Sequence, residues 1–412
     1  MHILFFSHYF PPEGNAPASR TYENCKRWVN AGHEVTVITG APNVPNGVVY
    51  EGYKNSLSPQ REMVDGIKLI RIWTFIAANK GTVRRIINFL SYMFSSCIAG
   101  LILKKPDVVI ATSPQFFCGW TGTIVSTLRR LPFILEIRDI WPESIVAVGA
   151  MNNKYVLRIL EWLEIQMYFS ADHIVTVGEG YKAKLLEKGV AEKNISIVPN
   201  GVDEDVFTPR DPDKALIKQL GIAGNFVCSF VGTIGMASGL DIIIRAALTL
   251  RKKDRNDIVF LIVGDGAIRI DLESKVNQFG LNSIFFTGRM DKLIIPNYLS
   301  ITDVCLVHLK KTDLFKTVLP SKIFEAAGMA KPIILGVSGF AAKIVQDADA
   351  GIIIEPENDE QLVQALEILA ENPQKCKKYG VSGYAYVTKH FNRNNLALDY
   401  LSIISTLLHH GD

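Results

Sequence analysis

Leu319-Pro320-Ser321-Lys322-Ile323-Phe324-Glu325-Ala326-Ala327-Gly328-Met329-Ala330-Lys331-Pro332, with the apolar run Ile333-Ile334-Leu335-Gly336 behind it, is the stretch on which the reading of this chain turns. Proline fits the first turn of a helix, where its missing N–H costs nothing, and glycine favours the helix end. Pro320 and Gly328 therefore predict one short helix feeding a buried strand. The start of such a helix turns unpaired N–H groups and partial positive charge toward whatever lies in front, and anions favour that place. Lys322 and Glu325, three positions apart, share one helix face. An ammonium suited to phosphate beside a carboxylate suited to a pair of sugar hydroxyls describes a pocket for a nucleotide sugar. Alone, the two would make an ordinary i,i+3 surface pair worth about 0.2–0.5 kcal/mol, so the surrounding chain decides between the readings.

Outward from this stretch, short β-rich runs alternate with helix-length segments. Ile3–Phe6, Glu34–Ile38, Val108–Ala111, Phe133–Ile137, Ile174–Val177 and Ile195–Val198 read as one series of strands. Val227–Val231, Val259–Val263, Ile284–Thr287, Val304–Val307, Ile333–Leu335 and Ile352–Ile354 read as a second. Alternation of this kind is the mark of parallel α/β architecture, and two series predict two doubly wound domains. Pro199, Gly201, Pro209 and Pro212 punctuate the join. The expected division is 1–203, 204–390 and a C-terminal helical stretch, 391–412, with no strand after it. Ligands of open parallel sheets bind beyond the C-terminal strand ends, so chemistry is expected there.

The chain is long enough for two cores at 412 residues, with 48% hydrophobic and 21% charged residues. A net charge of +3 without a basic block sets nucleic acid aside as a partner. Six singly scattered cysteines lack the paired spacing of zinc or redox sites and read as small buried hydrophobes of a reduced cytosol. Met1-His2-Ile3-Leu4-Phe5-Phe6 lacks the basic start of a signal peptide and reads as a core strand, so a cytoplasmic location is expected. No ligand cluster of metal spacing is singled out, and no metal is expected.

Further motifs fall in a fixed order: Val198-Pro199-Asn200-Gly201-Val202-Asp203, Val263-Gly264-Asp265-Gly266 and Thr287-Gly288-Arg289, ahead of the Pro320–Pro332 stretch. In that order they resemble the donor half of the family 4 glycosyltransferases. Glu136-Ile137-Arg138-Asp139-Ile140-Trp141-Pro142-Glu143 is similar to the branch that builds bacterial O-antigens and exopolysaccharides. The resemblance implies an α/β fold of two facing Rossmann-like domains, the GT-B type, with a C-terminal helix crossing back to the first domain. It also implies a retaining, metal-independent transfer of a hexosyl or N-acetylhexosaminyl type that uses no cofactor. The sugar would come from a nucleotide sugar, UDP before GDP, and go to a polyprenyl-diphosphate-linked saccharide.

Site residues follow from the residues and the resemblance together. Gly14, in the turn-rich loop before the first helix, allows close backbone approach of a diphosphate. Glu13, Asn15 and Arg20 are assigned to the acceptor, with Arg20 expected to meet its pyrophosphate, and His8 and Glu13 are weighed as acid/base groups. Arg138 and Asp139 follow a strand end and are assigned to catalysis. Many relatives carry histidine where this chain has Arg138; arginine stays protonated and would hold charge or orient the acceptor rather than act as a base. Asp139 either contacts the incoming hydroxyl or caps the next turn. Gly232 and Thr233, Arg289, Lys322 and Glu325 are assigned to the donor. Thr233 and Ser238 stand where many relatives have an Arg and a Lys on the diphosphate, and Thr317 stands where some have an earlier Glu. Gly264-Asp265-Gly266 reads as a tight turn outside the site.

Arg84 to Lys105 is an apolar stretch with basic pairs at both ends, close to the lower length limit for a membrane span. Asn88, Ser91, Ser95 and Ser96 interrupt it, and strand runs on both sides argue against a span; an ordinary buried helix stays open beside the preferred reading, a helix lying on the inner face of the cytoplasmic membrane. Arg84, Arg85, Lys104, Lys105, Arg129 and Arg130 would then meet anionic headgroups, while Phe89, Tyr92, Met93 and Phe94 dip inward. Two other functions stay open: an epimerase of nucleotide sugars with the same architecture, and a catalytically weak nucleotide-sugar-binding partner.

Overall fold

Strands covered on both faces must be apolar along their whole length, and the chain supplies such runs twice. In the first unit they are β1 (His2–Phe6), β2 (Glu34–Gly40), β3 (Gln60–Val64), β4 (Ile67–Ile72), β5 (Val108–Thr112), β6 (Phe133–Ile137), β7 (His173–Thr176) and β8 (Ile195–Ile197). Their order is β3-β4-β2-β1-β5-β6-β7-β8, parallel throughout except for β3 against β4. The computed structural model describes the chain apart from residues 45, 78–81, 114, 148–152 and 410–412. It divides into Met1–Pro199 with Arg393–Asp412, and Asn200–Asn392.

The second unit holds β9 (Phe226–Val231), β10 (Ile258–Val263), β11 (Ile284–Gly288), β12 (Val304–His308), β13 (Ile333–Gly336) and β14 (Gly351–Ile353), in the order β11-β10-β9-β12-β13-β14. That is the 3-2-1-4-5-6 order of a doubly wound fold, whose switch point lies between β9 and β12. Phe230, Phe260, Ile262, Leu306 and Ile334 fill one side of this sheet, and Cys305, Val307, Ile333 and Leu335 the other.

The β3–β4 hairpin is the one pair of strands the sequence reading passed over. Gln60-Arg61-Glu62-Met63-Val64 is polar because it is an exposed edge. The signal was present nonetheless: Asp65 and Gly66 both have positive φ, 48° and 78°, and close a two-residue hairpin between Val64 and Ile67.

The helix Arg393–His409 packs on Ala16–Asn30 of the first unit. Trp28 donates from Nε1 to the Ala397 carbonyl at 3.0 Å and meets Tyr400 edge-on at 5.1 Å, while Arg393 pairs with buried Glu23. The helix Thr82–Ile102 contains a segment, Arg84–Ile102, that by length and composition would cross a membrane. Strands β4 and β5 on either side of it belong to one sheet, and its Tyr92 is buried with its hydroxyl donating to the Ile38 carbonyl at 2.9 Å. One face of this helix is therefore built into the first unit.

Candidate active site

In the second unit, three strands end in glycines that let their backbones close on one another. A Cβ on Gly264 would lie 2.0 Å from the Gly232 carbonyl oxygen, and Gly264 N–H donates to the Gly288 carbonyl at 3.0 Å. Gly264 and Gly266 are thus part of the floor under the β9 loop, a role beyond the tight turn expected. Gly232 itself holds φ 135° and donates to the Val263 carbonyl at 2.8 Å.

Over Gly232 runs Lys322. A Cβ at position 232 would stand 2.4 Å from Lys322 Cε, and the ammonium sits 4.0 Å from the centroid of the buried Phe230 ring. Burial pushes the Lys322 pKa down to about 8, with Glu325 pulling the other way. Lys322 is part-buried, its stem taken up by packing and its charge partly desolvated. Burial likewise raises the Glu325 carboxyl, opposed first by the Lys292 ammonium and then by Lys322.

The helix carrying these two residues starts later than expected and stops where Gly328 was expected to stop it. It runs Lys322–Gly328, with Ser321 as N-cap, so Pro320 precedes the first turn and contributes its carbonyl to Ile323 N–H. Gly328 is its last residue, and packing also favours glycine there: a Cβ would meet Val202 Cγ2 at 2.4 Å. Seven residues make a weak dipole, so the cation rather than the helix end dominates the local field.

Arg289 is exposed on the loop after β11, and Lys292, three residues on, was not anticipated. Its signal was a second basic residue on the same short loop. Thr233 is exposed, whereas Ser238 is 5% exposed and donates from Oγ to the Thr233 carbonyl at 3.0 Å. Position 238 therefore braces the loop from within.

In the first unit, Gly14 is exposed ahead of the helix Ala16–Asn30. The three residues assigned to the acceptor have other work. Glu13, 4% exposed, accepts from the N–H groups of Asn43 and Val44 at 2.9 and 3.1 Å, and pins the loop after β2. Asn15 is the N-cap, its Oδ1 accepting from Ala18 N–H at 2.9 Å, a contact worth about 1 kcal/mol. Arg20 is 6% exposed and donates to Glu136 Oε1 at 2.8 Å and to the carbonyls of Pro199 and Val198 at 2.9 and 2.7 Å. An arginine one turn into a helix reads as reaching outward from sequence; here the partner is an acid inside a buried strand, Phe-Ile-Leu-Glu-Ile, and that misplaced acid was the missed signal. Burial alone would raise the Glu136 carboxyl, and the guanidinium groups of Arg20 and Arg138 hold it below the ordinary range instead. His8, 5% exposed among Tyr9, Phe89 and Tyr92, is driven to about 3 by burial and is neutral, which removes it as an acid.

Arg138 and Asp139 follow β6. Burial lowers Arg138 to about 10, against the pull of Glu136, and its Nε and Nη1 find no partner among the described residues. Burial raises Asp139 to about 6 despite hydrogen bonds from Ser144 and the Ile140 backbone. Asp139 borders a recess lined by Phe116, Trp141, Met167 and Tyr168, with Phe116 and Trp141 stacked at 5.0 Å. Three Asp-x-Asp spacings occur, Asp203-Glu204-Asp205, Asp211-Pro212-Asp213 and Asp347-Ala348-Asp349. Among the described residues no three His, Cys, Asp or Glu side chains gather closely enough to hold a metal ion.

Residues 15–201 match the glycosyl transferase 4-like domain and residues 213–386 the glycosyl transferases group 1. The putative colanic acid biosynthesis glycosyl transferase WcaI of Escherichia coli K12 is 25% identical over 98% of this chain and 100% of its own length. The O-antigen chain mannosyltransferase C of Escherichia coli is 25% identical over 63% of this chain and 67% of its own. Among solved structures, Anabaena HepE in complex with UDP-glucose superposes with a TM-score of 0.73 at 17% identity, covering 98% of this chain and 100% of that one. The fold is that of the GT-B glycosyltransferases.

Proposed function

The chain belongs to the family 4 glycosyltransferases, and from that membership we propose that it moves a hexosyl or N-acetylhexosaminyl group, with retention, from a nucleotide sugar to a polyprenyl-diphosphate-linked saccharide. The setting is bacterial cell-surface polysaccharide assembly, in line with what the names of WcaI and the O-antigen mannosyltransferase say of those proteins. A UDP-sugar is the preferred donor over a GDP-sugar, HepE having been solved with UDP-glucose. No cofactor or metal takes part in the proposal.

The observation that carries it is Lys322 lying over Gly232 and against Phe230. A part-desolvated ammonium at the strand ends favours a doubly charged diphosphate that neutralises it, and a charge-assisted hydrogen bond there is worth about 1.5–3 kcal/mol. Arg289 and Lys292 add positive charge on the neighbouring loop, Thr233 and the Gly232 backbone line the same strand end, and Glu325 meets the ribose hydroxyls. As the bond from the sugar to diphosphate breaks, an oxocarbenium-like centre forms. Stabilising the leaving diphosphate lowers that barrier most. The departing phosphate oxygen takes the proton of the attacking acceptor hydroxyl, so no strong protein base is required. In the first unit Asp139 orients that hydroxyl, the orphan edge of Arg138 holds acceptor charge, and Gly14 leaves room for a diphosphate.

A place on the inner face of the cytoplasmic membrane suits such an acceptor. Phe94, Ile98, Leu101 and Ile102 of Thr82–Ile102 are exposed, and so are Tyr155, Ile159, Trp162 and Phe169 of Lys154–Ser170; both helices pack against Phe116–Arg129. Arg84, Arg85, Lys104, Lys105 and Arg130 are exposed around them.

The test is product analysis with UDP- and GDP-sugars, with and without polyprenyl-diphosphate saccharides. Transfer with the donor's anomeric configuration supports the proposal. Epimer formation without acceptor would mark an epimerase, and donor binding with no transfer to any acceptor would mark a binding partner.

A further inference from the structure

His308 closes β12, and its imidazole is 1% exposed. It fits because its neighbours are glycines: a Cβ on Gly336 would stand 2.3 Å from Cδ2 and one on Gly239 3.1 Å from Cε1. Both ring nitrogens are engaged, in opposite senses. The Glu357 N–H, which can only donate, meets Nε2 at 2.8 Å; the Ser238 carbonyl, which can only accept, meets Nδ1 at 2.8 Å. The ring proton therefore sits on Nδ1 and the ring is neutral. Burial lowers its pKa, against the Ser238 carbonyl and Glu357; Arg245 and Lys322 lower it further. Lys310 lies close by as well: a Cβ on Gly239 would stand 3.1 Å from its Cγ.

Three loops meet at this ring. The Gly232–Gly239 loop after β9 is also tied by Lys310 N–H to the Ala237 carbonyl at 2.9 Å. Beyond β14, Glu357 holds a left-handed φ of 66°, its carboxylate accepting from Lys311 N–H at 2.9 Å and its carbonyl from Arg245 at 2.9 Å. The ring is thus the joint between the loop under Lys322 and the loop beyond the far edge strand.

We propose that His308 is a positioning residue for the donor: the neutral imidazole latches the Gly232–Gly239 loop to Glu357, so that the loop and Lys322 are preorganised for the diphosphate. Protonation turns Nε2 from an acceptor into a donor facing another donor, and opens the latch. The inference rests on the reading of this loop as the donor loop.

The test uses the full chain and the variants His308→Phe, which loses both bonds, and His308→Asn, whose amide N–H can still reach Ser238. Backbone hydrogen exchange reads the loop without ligand, and calorimetry reads UDP and GDP. In His308→Phe, exchange at residues 233–239 should rise about tenfold with β9 and β10 unchanged, and the affinity for the nucleotide bound by wild type should fall about tenfold. As the pH falls below the ordinary histidine range, wild-type loop protection should drop several-fold, and that of His308→Asn, which does not titrate, should stay flat. Wild-type exchange and affinity in His308→Phe, or one shared pH dependence for wild type and His308→Asn, overturns the latch. If His308→Phe fails to fold, the wild-type and His308→Asn pH comparison decides. A wild type that binds neither nucleotide overturns the donor reading, and the ligand-free exchange distinguishes that failure from failure of the latch.

Discussion

Gly232 and Lys322 fit one another only because residue 232 has no side chain: a Cβ there would lie 2.4 Å from Lys322 Cε, on a backbone already at φ 135°. Gly232→Ala should therefore displace the lysine and strain the loop, at about 1–3 kcal/mol for the backbone alone. The expected outcome is a UDP affinity reduced about tenfold by calorimetry in a protein that still folds.

Burial holds Lys322 at about 8, below the 10.5 of a free lysine. Between those values the unfolded chain binds the proton and the folded one does not, so this group's contribution to stability rises with pH across that window. Donor affinity runs the other way, because the diphosphate needs the ammonium. The donor KM should climb as pH rises through about 8 in wild type and stay level in Lys322→Arg, which remains charged.

Asp139, raised to about 6 by burial, must be ionised to orient a hydroxyl. Transfer should fall on the acid side with a midpoint near that value. Asp139→Asn should lower kcat about tenfold or more and leave donor binding intact, as calorimetry and initial rates will report.

Arg20 and Glu136 are a buried pair, their side chains 7% and 0% exposed, 2.8 Å apart. Arg20→Ala removes the cation hydrogen-bonded to the buried carboxylate, leaving only the charge of Arg138 near it, and should cost about 3–5 kcal/mol in chemical denaturation. A variant of native stability with a raised acceptor KM would return Arg20 to the acceptor site.

Replacing Arg84, Arg85, Lys104 and Lys105 by Gln should weaken pelleting with vesicles containing anionic lipid, by about 1 kcal/mol per charge at the surface. Phe94→Ser with Trp162→Ser should weaken it further at equal charge. Unchanged pelleting in both would remove the lipid contact.

The fold was legible where one residue's neighbours in sequence are also its determinants. Runs such as Phe133–Ile137 are apolar because both faces are covered, and a polar edge such as Gln60–Val64 hides for the converse reason. Lys322, Glu325 and Gly232 stand out in the sequence as donor candidates because their residue types suit that chemistry, and the structure brings Lys322 over Gly232. Arg20, Glu13 and His308 were not, because their partners lie 116, 30 and 70 residues away and only the fold brings them together. A charged residue near a helix start looks the same in sequence whether it faces solvent or a buried acid. The sign lies in the partner: Glu136 in the middle of a covered strand requires a cation, and Arg20 supplies it.

The proposed donor site depends on Lys322 receiving the diphosphate at the strand ends of the second unit. A crystal structure with bound UDP or UDP-sugar tests it most directly. Phosphate oxygens should lie within hydrogen-bond reach of Lys322 Nζ and of the backbone at Gly232, with the ribose on Glu325. A nucleotide bound elsewhere, or a Lys322 turned away from it, would overturn the assignment of Lys322 to the donor.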